Sequence, residues 1–388
     1  MRYLISGGGT GGHIFPAVSI ANALKELDPE AEILFVGALG RMEMERVPQA
    51  GYKIVGLPVR GFNRAQPWKN VSVLVDLAKS IRQVKRIIRD FKPNVGVGVG
   101  GYASGAAMWA AAKMGIPILL QEQNGFAGVT NKILKDKASK ICVAYENMDR
   151  FFPADKIILT GNPVRQNLLK GQRNKVQSTK ELLIIGGSLG ARTINEAMKE
   201  AISHQLSDFS DIHVVWQTGK TYYEKCKAAW EAAGSPKNIE CLDFLADMPD
   251  RYANADLVIS RAGASSISEI CLLGKPSILV PSPNVAEDHQ THNAMALVNK
   301  EAAVLVRDAD AKEQLIPTAL QLIQDNKRLE QLHTNILKLA QTDSAKRIAE
   351  EVIKLAKNCS KVHLQCLSVI TYNAKINLCR NFDVRFFF

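Results

Sequence analysis

Apolar positions along the first half of the chain switch repeatedly between strand-like and helix-like periods. Tyr3–Ser6 is a short apolar run that gives way to Gly7-Gly8-Gly9-Thr10-Gly11-Gly12. From Pro16 to Leu27 the spacing becomes helical, with Ala17, Ile20, Ala21, Leu24 and Leu27 on one stripe. Strand-like runs follow at 32–36 and 52–57. Next comes a long amphipathic helix over 71–91, with Leu74, Leu77, Ile81, Val84, Ile88 and Phe91 on its apolar stripe. A strand over 94–99 runs into Gly100-Gly101, a helix of small residues follows, and another strand covers 117–121. Short apolar strands alternating with helices predict a parallel sheet covered on both faces.

The pattern restarts near residue 180. An apolar strand at 181–185 leads into Gly186-Gly187-Ser188-Leu189-Gly190, and a helix begins at Ala191. Further strands are expected at 213–217, 257–260 and 277–280, with helices between them. The repeat predicts an α/β protein of two doubly wound, Rossmann-like domains. Their expected bounds are 1–161 and 162–342, with a helix over 343–358 returning to the first domain. Gly161-Asn162-Pro163-Val164-Arg165 reads as the hinge, because Asn-Pro and Gly interrupt regular structure. Residues 359–388 carry three of the seven cysteines, end in three phenylalanines and show no periodicity, so they are expected to be poorly ordered.

Composition narrows the function class. In 388 residues, 46% hydrophobic and 22% charged residues exclude wholesale disorder. No run approaches the ~18 apolar residues of a spanning helix, and the N-terminus lacks the apolar stretch of a signal peptide. The cysteines show no CxxC spacing, which fits a reducing, cytoplasmic setting better than a disulfide framework or a zinc site. The net charge of +11 is uneven. Residues 1–161 hold 21 Lys and Arg against 13 Asp and Glu, whereas 162–358 are balanced at 24 each. A basic first half suggests an anionic partner: nucleic acid, a phosphorylated ligand or an acidic membrane surface.

The glycine loops favour phosphate. Gly7-x-Gly9-x-x-Gly12 between a strand and a helix lets backbone amides approach an anion at a helix N-terminus. A dinucleotide site also wants an acid at the end of the second strand, which here reads Phe35-Val36-Gly37-Ala38. His13, in the first turn after the loop, can touch a phosphate, take a proton from a hydroxyl, or merely pack. The loop at 186–190 repeats the anion-binding arrangement in the second domain, and 98–105 is a third glycine loop. Small residues from Arg261 open another helix, in which Glu269 can accept hydrogen bonds from ribose hydroxyls or simply favour the helix N-terminus.

These motifs occur together, in order: Gly8–His13, Gly100-Gly101-Tyr102, Glu122-Gln123-Asn124, Gly161–Arg165, Gly186-Gly187-Ser188 and Ala264–Glu269. Residues 1–357 thereby resemble the MurG family of N-acetylglucosaminyl transferases. The resemblance implies the glycosyltransferase B fold, with two parallel sheets facing a deep cleft. It also implies inverting transfer from UDP-N-acetylglucosamine to the C4 hydroxyl of lipid-diphosphate-linked muramoyl-pentapeptide, with no metal or cofactor. On the donor side it implies Gly187 and Ser188 at the diphosphate and Glu269 at the ribose. Leu245, Ala264, Ser265, Ser266 and Ile267, with Ser268 beside them, would enclose the uracil. Arg165, Asn124 and Gln290 would also meet the donor, and Thr10, Gly11 and Gly12 would line its sugar. His13, Gly100, Gly101 and Tyr102 would face the acceptor. The acceptor hydroxyl needs a base, for which His13 and Glu122 are both candidates. Asp308-Ala309-Asp310 reads as a solvated turn, and His289-x-x-His292 as ordinary rather than metal-binding.

A lipid acceptor implies a peripheral position on the cytoplasmic face of the plasma membrane, with other cell-wall synthesis proteins as further partners. Seven basic residues (Lys69, Lys79, Arg82, Lys85, Arg86, Arg89, Lys92) face only Asp76 and Asp90 in the 68–92 segment. Trp68, Val73, Val75 and Ile87 are the expected apolar patch, and Lys132, Lys135, Lys137 and Lys140 form a second basic cluster. Three competing readings stay open. They are a UDP-sugar epimerase or another lipid glycosyltransferase of the same fold, a nicotinamide-dependent oxidoreductase, and a nucleic-acid binder. The last lacks any recognition motif.

Overall fold

Strands that are apolar at nearly every position must bury both faces, and here they assemble into two parallel sheets. The computed structural model describes residues 1–61, 70–164, 166–174, 179–187, 190–285 and 288–358. Arg165, Ser188, Trp68, Lys69 and the tail from 359, all of which carried expectations, lie outside the described residues.

The first sheet contains β1 (Arg2–Ser6), β2 (Glu32–Ala38), β3 (Lys53–Leu57), β4 (Val95–Gly98), β5 (Ile118–Glu122), β6 (Lys140–Val143) and β7 (Ile157–Leu159). Their spatial order is β3-β2-β1-β4-β5-β6-β7. The second contains β8 (Lys180–Ile185), β9 (Ile212–Gln217), β10 (Ile239–Leu242), β11 (Leu257–Ser260), β12 (Ser277–Leu279) and β13 (Val304–Leu305), ordered β10-β9-β8-β11-β12-β13. All strand pairs are parallel; β1 meets β2 and β4 on its two sides, and β8 meets β9 and β11 in the same way.

Period-two alternation sorts each strand between two cores. Leu4 faces one cluster while Tyr3 and Ile5 face the other; Leu182 and Ile184 oppose Leu183 and Ile185. Helices α1 (Gly11–Leu27), α2 (Glu43–Gln49), α3 (Asn70–Phe91), α4 (Tyr102–Lys113) and α5 (Val129–Leu134) accompany the first sheet. The second carries α6 (Arg192–His204), α7 (Tyr223–Ala232), α8 (Met248–Asn254), α9 (Ala264–Leu272), α10 (His289–Val298), α11 (Ala311–Gln324) and α12 (Asn326–Leu337). A last helix, α13, spans 344–358. Its Ile348 and Val352 are fully buried in the cluster that holds Tyr3, Ile5 and Ile20 of the first domain. Each such side chain contributes about 1.5–3 kcal/mol of burial free energy.

The structure corrects the reading of α3. Val73 is buried, whereas Leu74 and Val75 are exposed, and Ile87 packs partly against the core. The inward stripe therefore begins at Val73 rather than Leu74, and Val73 and Ile87 do not belong to a surface patch. Helix α1 also begins earlier than its apolar stripe, at Gly11, so the last two glycines of the loop form its first turn.

Candidate active site

In an open parallel sheet, two neighbouring strands whose crossovers leave in opposite directions open a crevice beyond their carboxyl ends. The first sheet has its switch point between β1 and β4, the second between β8 and β11. The first crevice receives the glycine loops at 7–12 and 98–105, and the second receives the loop at 186–190 beside the small-residue segment from Arg261.

At the first crevice, the loops following β1 and β4 are joined by the Gly8 amide, which donates to Gly100 O at 3.4 Å. Gly100 and Gly101 both have φ near +90°, a region that favours glycine. The N-termini of α1 and α4 open here side by side and give the crevice positive partial charge. His13 lies in the first turn of α1. Its Nδ1 is 3.1 Å from Gly8 O and 3.3 Å from Thr10 Oγ1. A carbonyl can only accept, so the neutral ring carries its proton on Nδ1 and leaves the Nε2 lone pair available. Burial holds the imidazole below its ordinary value of 6.5, and His289 of α10 lowers it further across the cleft. Gly8, the Nδ1 acceptor and Glu43 act in the opposite sense. Tyr102 begins α4 and is exposed.

Glu43 carried no role in the sequence reading. It is fully buried, and its carboxylate accepts from Gly9 N at 2.9 Å and Ala38 N at 3.0 Å. It thereby ties the first glycine loop to the end of β2. One loop amide is spent on the protein's own carboxylate, which disfavours a pyrophosphate at that amide and weakens the dinucleotide reading.

Glu122 ends β5 and is 2% exposed. Its Oε1 accepts from the amide and side chain of Asn124 at 3.2 and 3.4 Å, and its Oε2 from Gly128 N and Asn131 Nδ2, both at 2.9 Å. Burial raises its pKa, against the lowering effect of those donors. With both oxygens engaged in shaping the 124–128 loop, the carboxylate is placed to hold that loop rather than to receive a substrate proton.

The second crevice contains a cavity of about 680 Å³ lined by Gly186, Gly187, Gly190, Arg261, Ser266 and Gln290, among others. Gln217, buried at the end of β9, fixes the glycine loop: its Oε1 accepts from Gly186 N at 3.1 Å and its Nε2 donates to Gly187 O at 3.0 Å. Arg261 donates to Val280 O, Pro281 O and Asp308 Oδ1, and Asp308 Oδ2 accepts from Thr193 Oγ1 at 3.0 Å. Asp308 is therefore a partner of the cavity's arginine, and the expected solvated turn is corrected. Gln290 accepts from Ser282 N at 2.9 Å.

Residues of α9 divide among different surroundings. Ser266 lines the cavity of the second crevice. Leu245 and Ile267 share one buried apolar cluster, Ala264 is buried at the helix start, and the Ser265 hydroxyl is buried without a partner. Ser268 accepts from Asn162 Nδ2 of the hinge at 3.1 Å. Glu269 is 8% exposed and accepts from Tyr252 Oη at 3.3 Å. His292 stacks on Phe126 of the first domain, with centroids 5.5 Å apart. Among the described residues no group of three or more His, Cys, Asp or Glu could hold a metal ion.

Comparisons with known proteins find the same two-domain division. The glycosyltransferase family 28 N-terminal domain matches residues 3–143 and the family 28 C-terminal domain matches 181–352. A UDP-N-acetylglucosamine--N-acetylmuramyl-(pentapeptide) pyrophosphoryl-undecaprenol N-acetylglucosamine transferase of Bacteroides thetaiotaomicron is 58% identical over 366 residues, covering 92% of this chain and 98% of the relative. Its namesake from Porphyromonas gingivalis is 50% identical over 370 residues, covering 92% and 96%. The crystal structure of Acinetobacter baumannii MurG superposes with a TM-score of 0.72 at 28% identity, covering 91% of this chain and 99% of that one.

Proposed function

The chain belongs to glycosyltransferase family 28, and from that premise we propose that it transfers N-acetylglucosamine from UDP-N-acetylglucosamine to the C4 hydroxyl of undecaprenyl-diphosphate-linked N-acetylmuramoyl-pentapeptide, inverting the anomeric carbon. One observation carries the reading. Two glycine-loop crevices, each at a sheet switch point, belong to domains that meet where Asn293 and His292 of α10 contact the 124–126 loop.

In this mechanism Nε2 of His13 takes the proton from the acceptor hydroxyl. The oxygen attacks the anomeric carbon, and the bond to the diphosphate breaks with its electron pair leaving on UDP. Negative charge growing on that diphosphate meets the Gly186–Gly190 loop, the N-terminus of α6 and Arg261, with Arg165 and Ser188 assigned there by resemblance. Preorganised donors of this kind stabilise the departing group without reorganising during the reaction. Glu269 holds the ribose, Leu245 and Ala264–Ile267 enclose the uracil, Asn124 and Gln290 also meet the donor, and Thr10–Gly12 line its sugar side. Gly100, Gly101 and Tyr102 receive the acceptor. Glu122 positions Asn124.

No described helix is long and apolar enough to cross a membrane. The lipid acceptor is instead reached by peripheral contact at the cytoplasmic face. Exposed Leu74 and Val75 lie near the start of α3, and exposed Val129 and Ile133 lie on the short helix α5. Those helices flank α4 on one side of the first sheet. Exposed Lys79, Arg82, Arg86 and Arg89 extend along α3. Each cation near an anionic leaflet contributes about 1 kcal/mol.

The test is transfer of labelled N-acetylglucosamine by the full chain. Label should enter a lipid-diphosphate product only when both substrates are present. Acceptor-independent conversion of the donor to its 2-epimer would instead establish the epimerase alternative and defeat this one.

A further inference from the structure

Helix α10 of the second domain grips the 124–126 loop of the first. Asn293 of α10 is fully buried, and its Oδ1 accepts from Gly125 N at 2.9 Å. Its Nδ2 donates to Asn124 Oδ1 at 3.2 Å and to Ala262 O at 3.3 Å, just ahead of α9. Beside it, His292 stacks on Phe126. From the opposite side Glu122 holds the amide and side chain of Asn124, and Arg150 donates to Gly125 O at 2.9 Å. The loop is thus clasped between two domains, and one side chain supplies both an acceptor and a donor to the second domain's half of the clasp.

Helical spacing extends the consequence. His289 and Gln290 precede Asn293 by four and three residues, so all three share one face of α10. Gln290 lines the donor-side cavity, and His289 opens the same helix. We propose that Asn293 is a positioning residue for the transfer: it sets the separation between the donor-bearing face of α10 and the first domain, and it fixes the orientation of Asn124. The proposal rests on the transferase reading and assigns Asn293 no contact with the reacting atoms. Reacting groups held in near-attack geometry lose up to about 100-fold in rate when displaced by ~1 Å.

The experiment compares full-length Asn293→Ala, Asn293→Asp, Asn124→Ala and the Asn293→Ala/Asn124→Ala pair with the natural chain. Asn293→Asp keeps an acceptor for Gly125 but turns a carboxylate oxygen toward the oxygens of Asn124 and Ala262. For both Asn293 variants, kcat per folded molecule should fall about 10- to 100-fold, with UDP affinity by calorimetry changed less than about threefold. The double variant should lose clearly less than the product of the two single losses, because Asn293 acts in part by orienting Asn124. Amide exchange in peptides covering 121–130 should rise in Asn293→Ala and stay unchanged in 183–198. Natural kcat in both variants, additive losses in the double variant, or unchanged exchange at 121–130 would each overturn the proposal. An inactive natural chain would instead defeat the transferase reading, while the exchange measurement would still judge the clasp.

Discussion

Three glycines at the first crevice allow backbone strain to be separated from displacement of His13. Gly9, Gly100 and Gly101 have φ of +89°, +95° and +91°. Alanine at any of them costs about 1–3 kcal/mol in strain. A Cβ at Gly9 meets nothing within 4 Å, so strain is its whole cost to the fold. A Cβ at Gly100 would stand 2.8 Å from Cδ2 and 2.9 Å from Nε2 of His13. Carbon contacts are optimal beyond about 3.5 Å, so the ring must retreat by roughly half an ångström or more and strain its bond to Gly8 O. That bond contributes about 1 kcal/mol. Gly100→Ala should therefore lower Tm only slightly more than Gly9→Ala, by ~2–4 °C for each kcal/mol of strain. Its kcat should fall about 10- to 100-fold, because a misplaced base forfeits a factor normally near 10²–10⁴. Gly101→Ala should destabilise most, since its Cβ would lie 2.5 Å from Gly8 O, a backbone atom that cannot move without β1. Scanning calorimetry and initial rates per folded molecule provide the assay. Equal kcat for Gly9→Ala and Gly100→Ala would refute the placement of His13 at the reacting hydroxyl.

Three further outcomes are expected. With His13 held below 6.5, activity should persist as pH falls through the ordinary histidine range and decline only at lower pH. The unfolded chain takes up that proton first, so this group also erodes stability below 6.5 and rates must be normalised to folded protein. The acid limb should survive in Glu122→Gln, which instead loses about 1–3 kcal/mol of stability from misdirected donors, and should vanish with most turnover in His13→Ala; loss of the limb in Glu122→Gln would reverse these roles. Arg261→Ala should weaken UDP binding about 10- to 100-fold by calorimetry, the value of a charge-assisted hydrogen bond, and unchanged affinity would remove Arg261 from the diphosphate site. Reversing Arg82, Arg86 and Arg89 to Glu should abolish flotation with anionic vesicles at low salt while leaving Tm nearly unchanged; equal binding of the natural chain to neutral and anionic vesicles would defeat the electrostatic contact.

Strand, glycine loop and helix were legible in the sequence because each is local. The expected strand over 257–260 coincides with β11, and the other expected strands differ from those observed by no more than two residues at either end. Strands β6, β7, β10 and β13 were not singled out. They are two to four residues long and lie toward sheet edges, where burial leaves little periodicity to read. The exchange of Val73 for Leu74 has a similar cause, since a helical stripe tolerates a shift of one residue in its first turn. Site residues divided by chemical reach. Gly100 sits on a loop that announces itself, and His13 and Ser266 lie in the helix turns that directly follow such loops. Glu43, Gln217, Arg261, Asp308 and Asn293 do not, because each acts on a loop or partner brought near by the sheet order. Asn293 meets Gly125 across 168 positions of chain, and no local pattern encodes that pairing.

Helix α13 gives the chain an unusual order of completion. Its buried Ile348 and Val352 belong to the core built around the first strand. The segment that forms β1 must therefore wait for α13, made after it, to close its apolar face, while the second lobe, synthesised between them, can already be whole. Nascent chains halted before residue 344 should expose a sticky, unfinished first lobe beside a mature second one, which makes the middle of this polypeptide its natural folding seed.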